Sequence, residues 1–265
     1  MRLGVVGGGV VGHAMARAFM EHSEGGTRVY DVVPERCTHS LEDVLSCDLI
    51  FVCLPTPANE DGSCKTSFVE QFFRDVGTSA FADRNFVLRS TVPVGTTKKL
   101  GERYGVKNLV HSPEFLTARC SVADAQVPAR NIVGIPHPSA ATSLLAELYK
   151  RRFPGIPVHI TTSDESEAVK LMQNSFFLTK IAIFNEFYQF AQARGMNWSR
   201  VLAGLLSDGR IAHAHTQVPG VDGLFGAGGA CLPKDIANLV HCMGDEAVVI
   251  RAAMERNKRD RERVA

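Results

Sequence analysis

The chain has 265 residues, and its 29 lysines and arginines against 28 aspartates and glutamates give a formal net charge of +1. A composition of 45% hydrophobic and 22% charged residues is that of an ordinary globular protein with one large domain or two modest ones. The near-neutral charge argues against a general nucleic-acid-binding protein. No apolar run is long enough to span a membrane, so we expect no membrane partner.

The cysteines are scattered and form neither a Cys-x-x-Cys pair nor a zinc-type spacing with histidine; they are Cys37, Cys47, Cys53, Cys64, Cys120, Cys231 and Cys242. This pattern predicts reduced thiols in the cytoplasm and no metal site. The apolar start of the chain imitates a signal peptide, but its glycines together with His13 and Arg17 argue against export.

The first element in chain order is a short apolar run, Leu3–Val6, which predicts a strand. It leads into Gly7-Gly8-Gly9-Val10-Val11-Gly12, and an alanine-rich helix is predicted over His13–Glu21. In the G-x-G-x-x-G spacing the first glycine permits a tight turn, the second lets a pyrophosphate approach the backbone, and the third lets helix and strand pack closely. The N–H groups of the helix N-terminus can bind the phosphates.

A second predicted strand, Thr27–Val32, contains Asp31, which lies 19 residues beyond Gly12. A carboxylate at this distance binds the adenosine ribose and repels a 2′-phosphate, so the pattern predicts NAD rather than NADP. The alternative is a plain strand-to-helix turn with a surface aspartate. The candidate cofactor-binding residues here are Gly7, Gly9, Val10, Val11, Gly12 and Asp31.

Strands and helices alternate up to residue 162, which predicts an α/β fold with a Rossmann-like parallel sheet over residues 1–162. The remaining predicted strands are Asp48–Leu54, Asn85–Arg89, Asn108–His111, Asn131–Ile135 and Val158–Thr161. The predicted helices between them are Ser40–Leu45, Ser67–Val76, Thr96–Tyr104 and Ala140–Arg152.

Residues 163–265 show only helical patterns and predict an all-helical domain, with helices from about Asp164 to Arg194, over Trp198–Leu206, and from about Glu246 to Arg263. Lys170 and Asn174 lie four residues apart and share one helix face, either as functional groups or as solvated surface residues. The apolar residues of the same helix cover more than one face, which predicts a homodimer through helix 164–194. They include Phe176, Phe177, Ile181, Phe184 and Phe187.

Cys231 follows a glycine-rich turn and precedes Pro233, which suits the first turn of a helix. A cysteine at a helix N-terminus is favoured as thiolate, and Lys234 and Asp235 follow within one turn. Cys231 is therefore a candidate nucleophile, the alternative being a small buried hydrophobic residue.

Several motifs in one order resemble those of the UDP-glucose/GDP-mannose 6-dehydrogenases, which oxidise a sugar C6 alcohol to a carboxylate with two NAD. The motifs are Gly7–Gly12, Leu54–Pro57 with Glu60–Ser63, Ser90–Thr96, Ser112–Leu116, Glu167–Asn174, Lys180–Glu186, Asp208–Ile211, Cys231–Asp235 and Asn257–Arg259, with Asp124, Pro128 and Arg130 at the family's spacing.

The resemblance implies a nucleotide-sugar substrate and a reaction through a thiohemiacetal and a thioester on Cys231. Lys170 and Asn174 would stabilise the substrate oxygen, and Asp235 would assist proton removal through a water. Glu114 and Thr91 would position a water, with Glu114 a candidate base for thioester hydrolysis. The resemblance also adds Pro55, Thr56, Thr91 and Lys234 to the cofactor-binding residues.

The chain departs from the family pattern at Ala118, where a second glutamate is usual, and at Ala227, where an aromatic residue is usual. The connection between Asp31 and Ser40 is short, and the chain stops where the family begins a second α/β domain that covers the nucleotide. Two other functions therefore stay open: a catalytically idle NAD-binding scaffold or regulator, and a β-hydroxyacid dehydrogenase, whose chemistry needs no cysteine.

Overall fold

The computed structural model describes residues 1–263, except for the side chain of Ala118. The chain divides into two compact units. The first comprises Met1–Pro57 and Cys64–Lys170, and the second comprises Ala58–Ser63 and Leu171–Ala265.

The first unit is built on a seven-stranded sheet with the order β2-β1-β3-β4-β5-β6-β7. Its strands are β1 (Leu3–Val6), β2 (Arg28–Tyr30), β3 (Leu49–Val52), β4 (Phe86–Leu88), β5 (Leu109–His111), β6 (Asn131–Ile135) and β7 (Val158–Thr162). Its helices are α1 (Val10–Phe19), α2 (Leu41–Leu45), α3 (Ser67–Gly77), α4 (Thr96–Tyr104), α5 (Ser121–Gln126) and α6 (Ala140–Arg152). The predicted Rossmann-like α/β class is confirmed.

One strand pair differs from the expected all-parallel sheet, because β6 runs antiparallel to β5, with His111 opposite Gly134. The connection between these strands holds only a short 3₁₀ turn and the six-residue α5. An antiparallel neighbour starts at the same sheet edge where the preceding strand ends, so no long crossover helix is needed. The expectation of a wholly parallel sheet was wrong at this pair.

Strand β3 shows how both faces of the sheet are buried. Ile50 belongs to an apolar cluster that includes Phe73 of α3, whereas Phe51 belongs to the cluster on the opposite face with Phe19 of α1. The rings of Phe19 and Phe51 stack with centroids 5.5 Å apart. Successive strand residues point to opposite faces, so a doubly covered strand must be apolar throughout. This packing fixes the strand ends that carry the candidate site.

The second unit is helical, and its helices are α7 (Ser163–Ala193), α8 (Trp198–Leu206), α9 (Cys231–Met243) and α10 (Val248–Arg261). The boundary between the units falls within α7, after Lys170. A buried cluster joins residues of α7, such as Leu178, to Ile236 of α9 and Ala253 of α10. Within residues 1–263, no helix has the length and apolar character needed to cross a membrane.

Two helix starts differ from the sequence prediction by two residues or more. α1 starts at Val10, inside the glycine motif, rather than at His13. The last helix starts at Val248 because a 3₁₀ turn, Gly244–Glu246, precedes it. The glycines of the first motif obscured the helical start, since glycine has a low helix propensity on its own.

Candidate active site

The three glycines at the G positions of the G-x-G-x-x-G motif, Gly7, Gly9 and Gly12, have three different environments. Gly7 has a φ of +96°, and a Cβ there would lie 2.5 Å from the carbonyl oxygen of Cys53. A Cβ on Gly12 would lie 1.7 Å from the carbonyl oxygen of Gly7. A Cβ on Gly9 would meet nothing within 4 Å. Packing therefore requires glycine at positions 7 and 12, whereas Gly9 leaves the backbone open to a ligand.

The N-terminus of α1 faces this open position. Gly9 is the N-cap residue and has no side chain that could cap the helix. The N–H groups of the first turn, which includes Val10, Val11 and Gly12, are therefore available to an anion. β1 lies between β2 and β3 in the sheet. The connection from β1 to β2 therefore runs toward one edge of the sheet, and the connection from β2 to β3 crosses back to the other side of β1. Ligands of open α/β sheets bind at such a switch point.

Asp31 comes directly after β2 and touches the glycine turn. Its Oδ2 accepts a hydrogen bond from the Gly8 N–H at 2.6 Å, and its Oδ1 accepts one from the Val33 N–H at 2.8 Å. The carboxylate is thus held beside the helix N-terminus, as binding of an adenosine ribose requires. The open backbone at Gly9 and the position of Asp31 together fit a dinucleotide without a 2′-phosphate.

Two hydrogen bonds connect the loops that follow β3 and β4 at the same sheet edge. The Thr56 hydroxyl donates to the carbonyl of Thr91 at 2.8 Å, and the Ser90 hydroxyl donates to the carbonyl of Leu54 at 2.7 Å. Thr91 takes part through its main chain, so its own hydroxyl is not used in this bond. Pro55 lies between the tied residues in the first of these loops.

Glu114 and Lys170 form a buried ion pair in the first unit. Lys170 Nζ lies 2.9 Å from Glu114 Oε1, and the two side chains are 4% and 11% exposed. The other oxygen, Oε2, accepts the Leu116 N–H at 2.6 Å. The sequence predicted separate roles for these residues and gave no sign of the pair, since they are 56 residues apart and lie on different elements. Removal of one partner would leave an uncompensated buried charge.

A second polar cluster lies in the helical unit, around the fully buried Asp235. Asn174 Nδ2 donates to its Oδ2 at 2.5 Å, and Lys234 Nζ lies 2.6 Å from its Oδ1. Both carboxylate oxygens are therefore satisfied. The amide of Asn174 is oriented by a carboxylate rather than solvated, in contrast to the surface alternative that the sequence left open.

Cys231 is the first residue of α9 and its side chain is exposed, with Pro233 in the first turn as the sequence predicted. Ala230 is the N-cap residue and provides no side-chain cap. The thiol is therefore not the buried hydrophobic residue of the alternative interpretation. Its position at the start of a helix is the one that favours thiolate.

Of the two substitutions relative to the family pattern, Ala227 is buried and packs in the apolar cluster of α7, α9 and α10. It borders an open cavity of about 400 Å³ that is also lined by Leu178, Gly228, Gly229, Pro233, Met254, Asn257, Lys258 and Arg261. The side chain of Ala118 lies outside the described residues.

Glu167 is a buried carboxylate to which the sequence assigned no role. It accepts hydrogen bonds from the N–H of Gly95 at 2.6 Å and from the N–H and hydroxyl of Thr97 at 2.8 and 2.5 Å. Burial nevertheless raises its pKa to about 7. Burial has the opposite effect on His111 and lowers its pKa to about 3.

Two family models match the chain. Residues 34–153 match the NAD binding domain of the UDP-glucose/GDP-mannose dehydrogenase family, and residues 164–259 match the central domain of that family. The glycine motif and Asp31 precede the first match, so their assignment rests on the geometry described above.

The chain is also similar to individual proteins. It is 29% identical over 195 residues to UDP-glucose 6-dehydrogenase of Campylobacter jejuni, which covers 72% of this chain and 48% of the relative. It superimposes on a UDP-glucose dehydrogenase from Pyrobaculum islandicum with a TM-score of 0.81 and 27% identity, covering 98% of this chain and 68% of that one. A UDP-D-ManNAc dehydrogenase from Pyrococcus horikoshii gives a TM-score of 0.83 and 25% identity, with the same coverage of 98% and 68%.

The chain spans about half the length of most curated relatives that it matches, for example 48% of the Campylobacter jejuni protein and 51% of the Pseudomonas aeruginosa protein.

Proposed function

Because the chain belongs to the UDP-glucose/GDP-mannose dehydrogenase family, we propose that it is an NAD-dependent oxidoreductase that converts the C6 alcohol of a nucleotide sugar to a carboxylate. The observation that supports this best is the exposed Cys231 at the first position of α9, in a chain that also has a glycine turn fitted to a dinucleotide. The substrate sugar stays open, since the similar solved structures carry different sugar names.

The cofactor is held by the main chain of Gly7, Gly9 and Gly12, by the first turn of α1, and by Asp31. Pro55, Thr56, Thr91 and Lys234 complete the proposed cofactor-binding set. Bound NAD supplies the hydride acceptor for both oxidation steps. The role of the protein here is to bind and orient, and to select against a 2′-phosphate through the charge of Asp31.

Cys231 is the proposed nucleophile. Its thiolate attacks the aldehyde carbon, and the new C–S bond with a proton on the oxygen gives a thiohemiacetal. After oxidation to a thioester, water attacks the same carbon, the C–S bond breaks, and the acid and the thiol are released. Holding the aldehyde on sulfur prevents its loss to solvent between the two oxidations.

The remaining residues are proposed to stabilise charge and move protons. Lys170 and Asn174 donate hydrogen bonds to the substrate oxygen as it gains negative charge. Asp235 orients the amide of Asn174 and assists proton removal through a water. Glu114, with Thr91, positions the hydrolytic water. Through its ion pair with Lys170, Glu114 also accepts a proton from the lysine ammonium group.

A second copy of this chain is the proposed partner. On α7 the exposed apolar residues Phe176, Ile183, Phe187 and Phe190 are spaced by seven, four and three residues, so they form one stripe along the helix. Phe184, which the sequence placed in the same set, is buried within the helical unit instead. An exposed apolar stripe of this kind marks an interaction surface.

The test of the proposed function is NADH formation with a panel of nucleotide sugars and of β-hydroxyacids. A nucleotide sugar that yields two NADH per carboxylate formed supports the proposal. Turnover of a hydroxyacid with one NADH per product would support the β-hydroxyacid alternative. Tight NAD binding without turnover of any panel member would support the idle scaffold.

A further inference from the structure

The glycine-rich loop before α9 is held by two buried asparagines from different helices. Asn185 of α7 accepts a hydrogen bond from the Gly226 N–H at 3.0 Å through Oδ1. Asn257 of α10 bonds to both main-chain groups of Ala227: its Oδ1 accepts from the N–H at 2.6 Å and its Nδ2 donates to the carbonyl at 3.1 Å. The two residues are 1% and 6% exposed. Two consecutive residues of the loop are thus bonded to the helical core.

The loop sequence permits this close approach. Gly226 has a φ of +72°, and a Cβ there would lie 2.8 Å from Asn257 Oδ1. A Cβ on Gly228 would lie 3.0 Å from Cζ of Arg261, one turn further along α10. Glycine at position 226 lets α10 pack directly on the loop backbone, whereas the contact at Gly228 is with the end of a flexible side chain.

Only Gly228, Gly229 and Ala230 separate the bonded residue Ala227 from Cys231. Two of these three residues are glycines, which have the largest conformational freedom of any residue, so an unattached segment of this sequence would sample many conformations. The two-point bond at Ala227 fixes one end of the segment, and α9 fixes the other.

We propose that Asn257, supported by Asn185, is a positioning residue for Cys231. By fixing the main chain at Ala227, it fixes the start of α9 and with it the place and the N-terminal environment of the thiol. The proposal rests on the proposed role of Cys231 as nucleophile. Asn257 itself does not touch the reacting atoms.

The competing explanation is that Asn257 only satisfies buried main-chain groups, as buried asparagines commonly do. That role would affect stability without any specific effect on Cys231. Gln189 provides a matched control, because its Nε2 on α7 donates to Asp260 Oδ1 on α10 at 2.8 Å. This bond joins the same two helices as the asparagines and does not involve the loop.

The experiment compares Asn257→Ala, Asn257→Asp and Gln189→Ala in the full chain. Alkylation of Cys231 by iodoacetamide is followed by peptide mass spectrometry, together with kcat, KM and Tm. We expect Asn257→Ala to slow Cys231 alkylation by roughly threefold or more, because the N–H groups of α9 that favour thiolate lose their fixed position. We expect kcat to fall by about 10²-fold, the effect of a misplacement of about 1 Å, with KM for NAD unchanged.

Asn257→Asp keeps an acceptor for the Ala227 N–H, so it should restore part of the alkylation rate. Gln189→Ala should lower Tm to a similar degree and leave alkylation and kcat as in the parent protein. If Asn257→Ala shares the Tm loss of Gln189→Ala but alkylates at the parent rate, Asn257 is merely structural and the proposal is wrong. Should Asn257→Ala fail to fold, the alkylation rate of Asn257→Asp decides in the same way.

Failure of the proposed function gives a different result. In that case Cys231→Ser would leave NADH formation unchanged. The alkylation rates of the Asn257 variants would still report whether the hydrogen bonds between Asn257 and Ala227 control the reactivity of the thiol.

Discussion

The oxygens of Asp31 accept hydrogen bonds from the Gly8 and Val33 N–H groups, and the same carboxylate is proposed to bind the ribose of NAD. The carboxylate therefore shapes the glycine turn before a ligand arrives. Asparagine is a more informative replacement for Asp31 than alanine, because it keeps the size of the side chain and one acceptor while it removes the charge.

We expect Asp31→Asn to weaken NAD binding by roughly 10- to 150-fold, since a hydrogen bond to a charged group contributes about 1.5–3 kcal/mol. The same change should narrow the preference for NAD over NADP, because the repulsion of a 2′-phosphate is lost. Calorimetric titration with both cofactors measures this, and Asp75→Asn on the exposed face of α3 serves as control. Equal binding of NAD and NADP by the parent protein would refute the assignment.

The Glu114–Lys170 pair makes a prediction about both stability and activity. Lys170→Ala should destabilise the protein by about 3–5 kcal/mol, since Glu114 is left charged and buried. It should also lower kcat by about 10²–10³-fold, as loss of an oxyanion donor does, without a change in NAD affinity. Adding Glu114→Gln should recover part of the stability and none of the activity. Recovery of kcat in the double variant would show that Lys170 acts only as a counterion.

At the scale of elements, Glu167 of α7 binds the first turn of α4 through Gly95 and Thr97. Its pKa of about 7 is above that of an unfolded glutamate, so the folded protein holds this proton more tightly. The resulting stabilisation is fully present below the unfolded pKa and is lost as the pH rises through about 7. His111, with its lowered pKa, contributes in the opposite direction, since its stabilisation is lost as the pH falls below the usual histidine range.

We therefore compare the free energy of unfolding of the parent protein with that of Glu167→Gln. The difference, parent minus variant, should fall by about 2–3 kcal/mol between about pH 5 and pH 8. Urea titrations across this range measure the difference. Glu102→Gln, on the exposed face of α4, controls for loss of a surface charge. A constant difference between parent and Glu167→Gln would mean that Glu167 keeps one protonation state throughout.

Most elements of the fold could be predicted from local pattern. Helix α6 and strand β6 lie at the predicted residues because a regular apolar period and clear turn residues bound them. The direction of β6 could not be predicted, since it depends on where the short connection after β5 emerges. The Glu114–Lys170 and Asn174–Asp235 pairs could not be predicted either. The partners are separated by 56 residues in the first pair and by 61 in the second, so no local sequence pattern connects them.

On the scale of the whole molecule, the exposed stripe of α7 predicts association. We expect the protein to sediment as a homodimer at micromolar concentration. Phe176→Glu with Phe187→Glu should shift it to the monomer, because two charges would enter an apolar interface. The matched change of Phe68→Glu, an exposed phenylalanine on α3 in the other unit, should leave the dimer intact. A parent protein that sediments as a monomer would contradict the proposal.

The central claim is that a sugar alcohol is oxidised to an acid through a covalent bond to Cys231. The most direct measurement is the yield of NADH and of carboxylate with a saturating nucleotide sugar, for the parent protein and for Cys231→Ala. The account predicts two NADH per carboxylate for the parent, and no carboxylate from Cys231→Ala despite unchanged NAD binding. Carboxylate production by Cys231→Ala at the parent rate would contradict it.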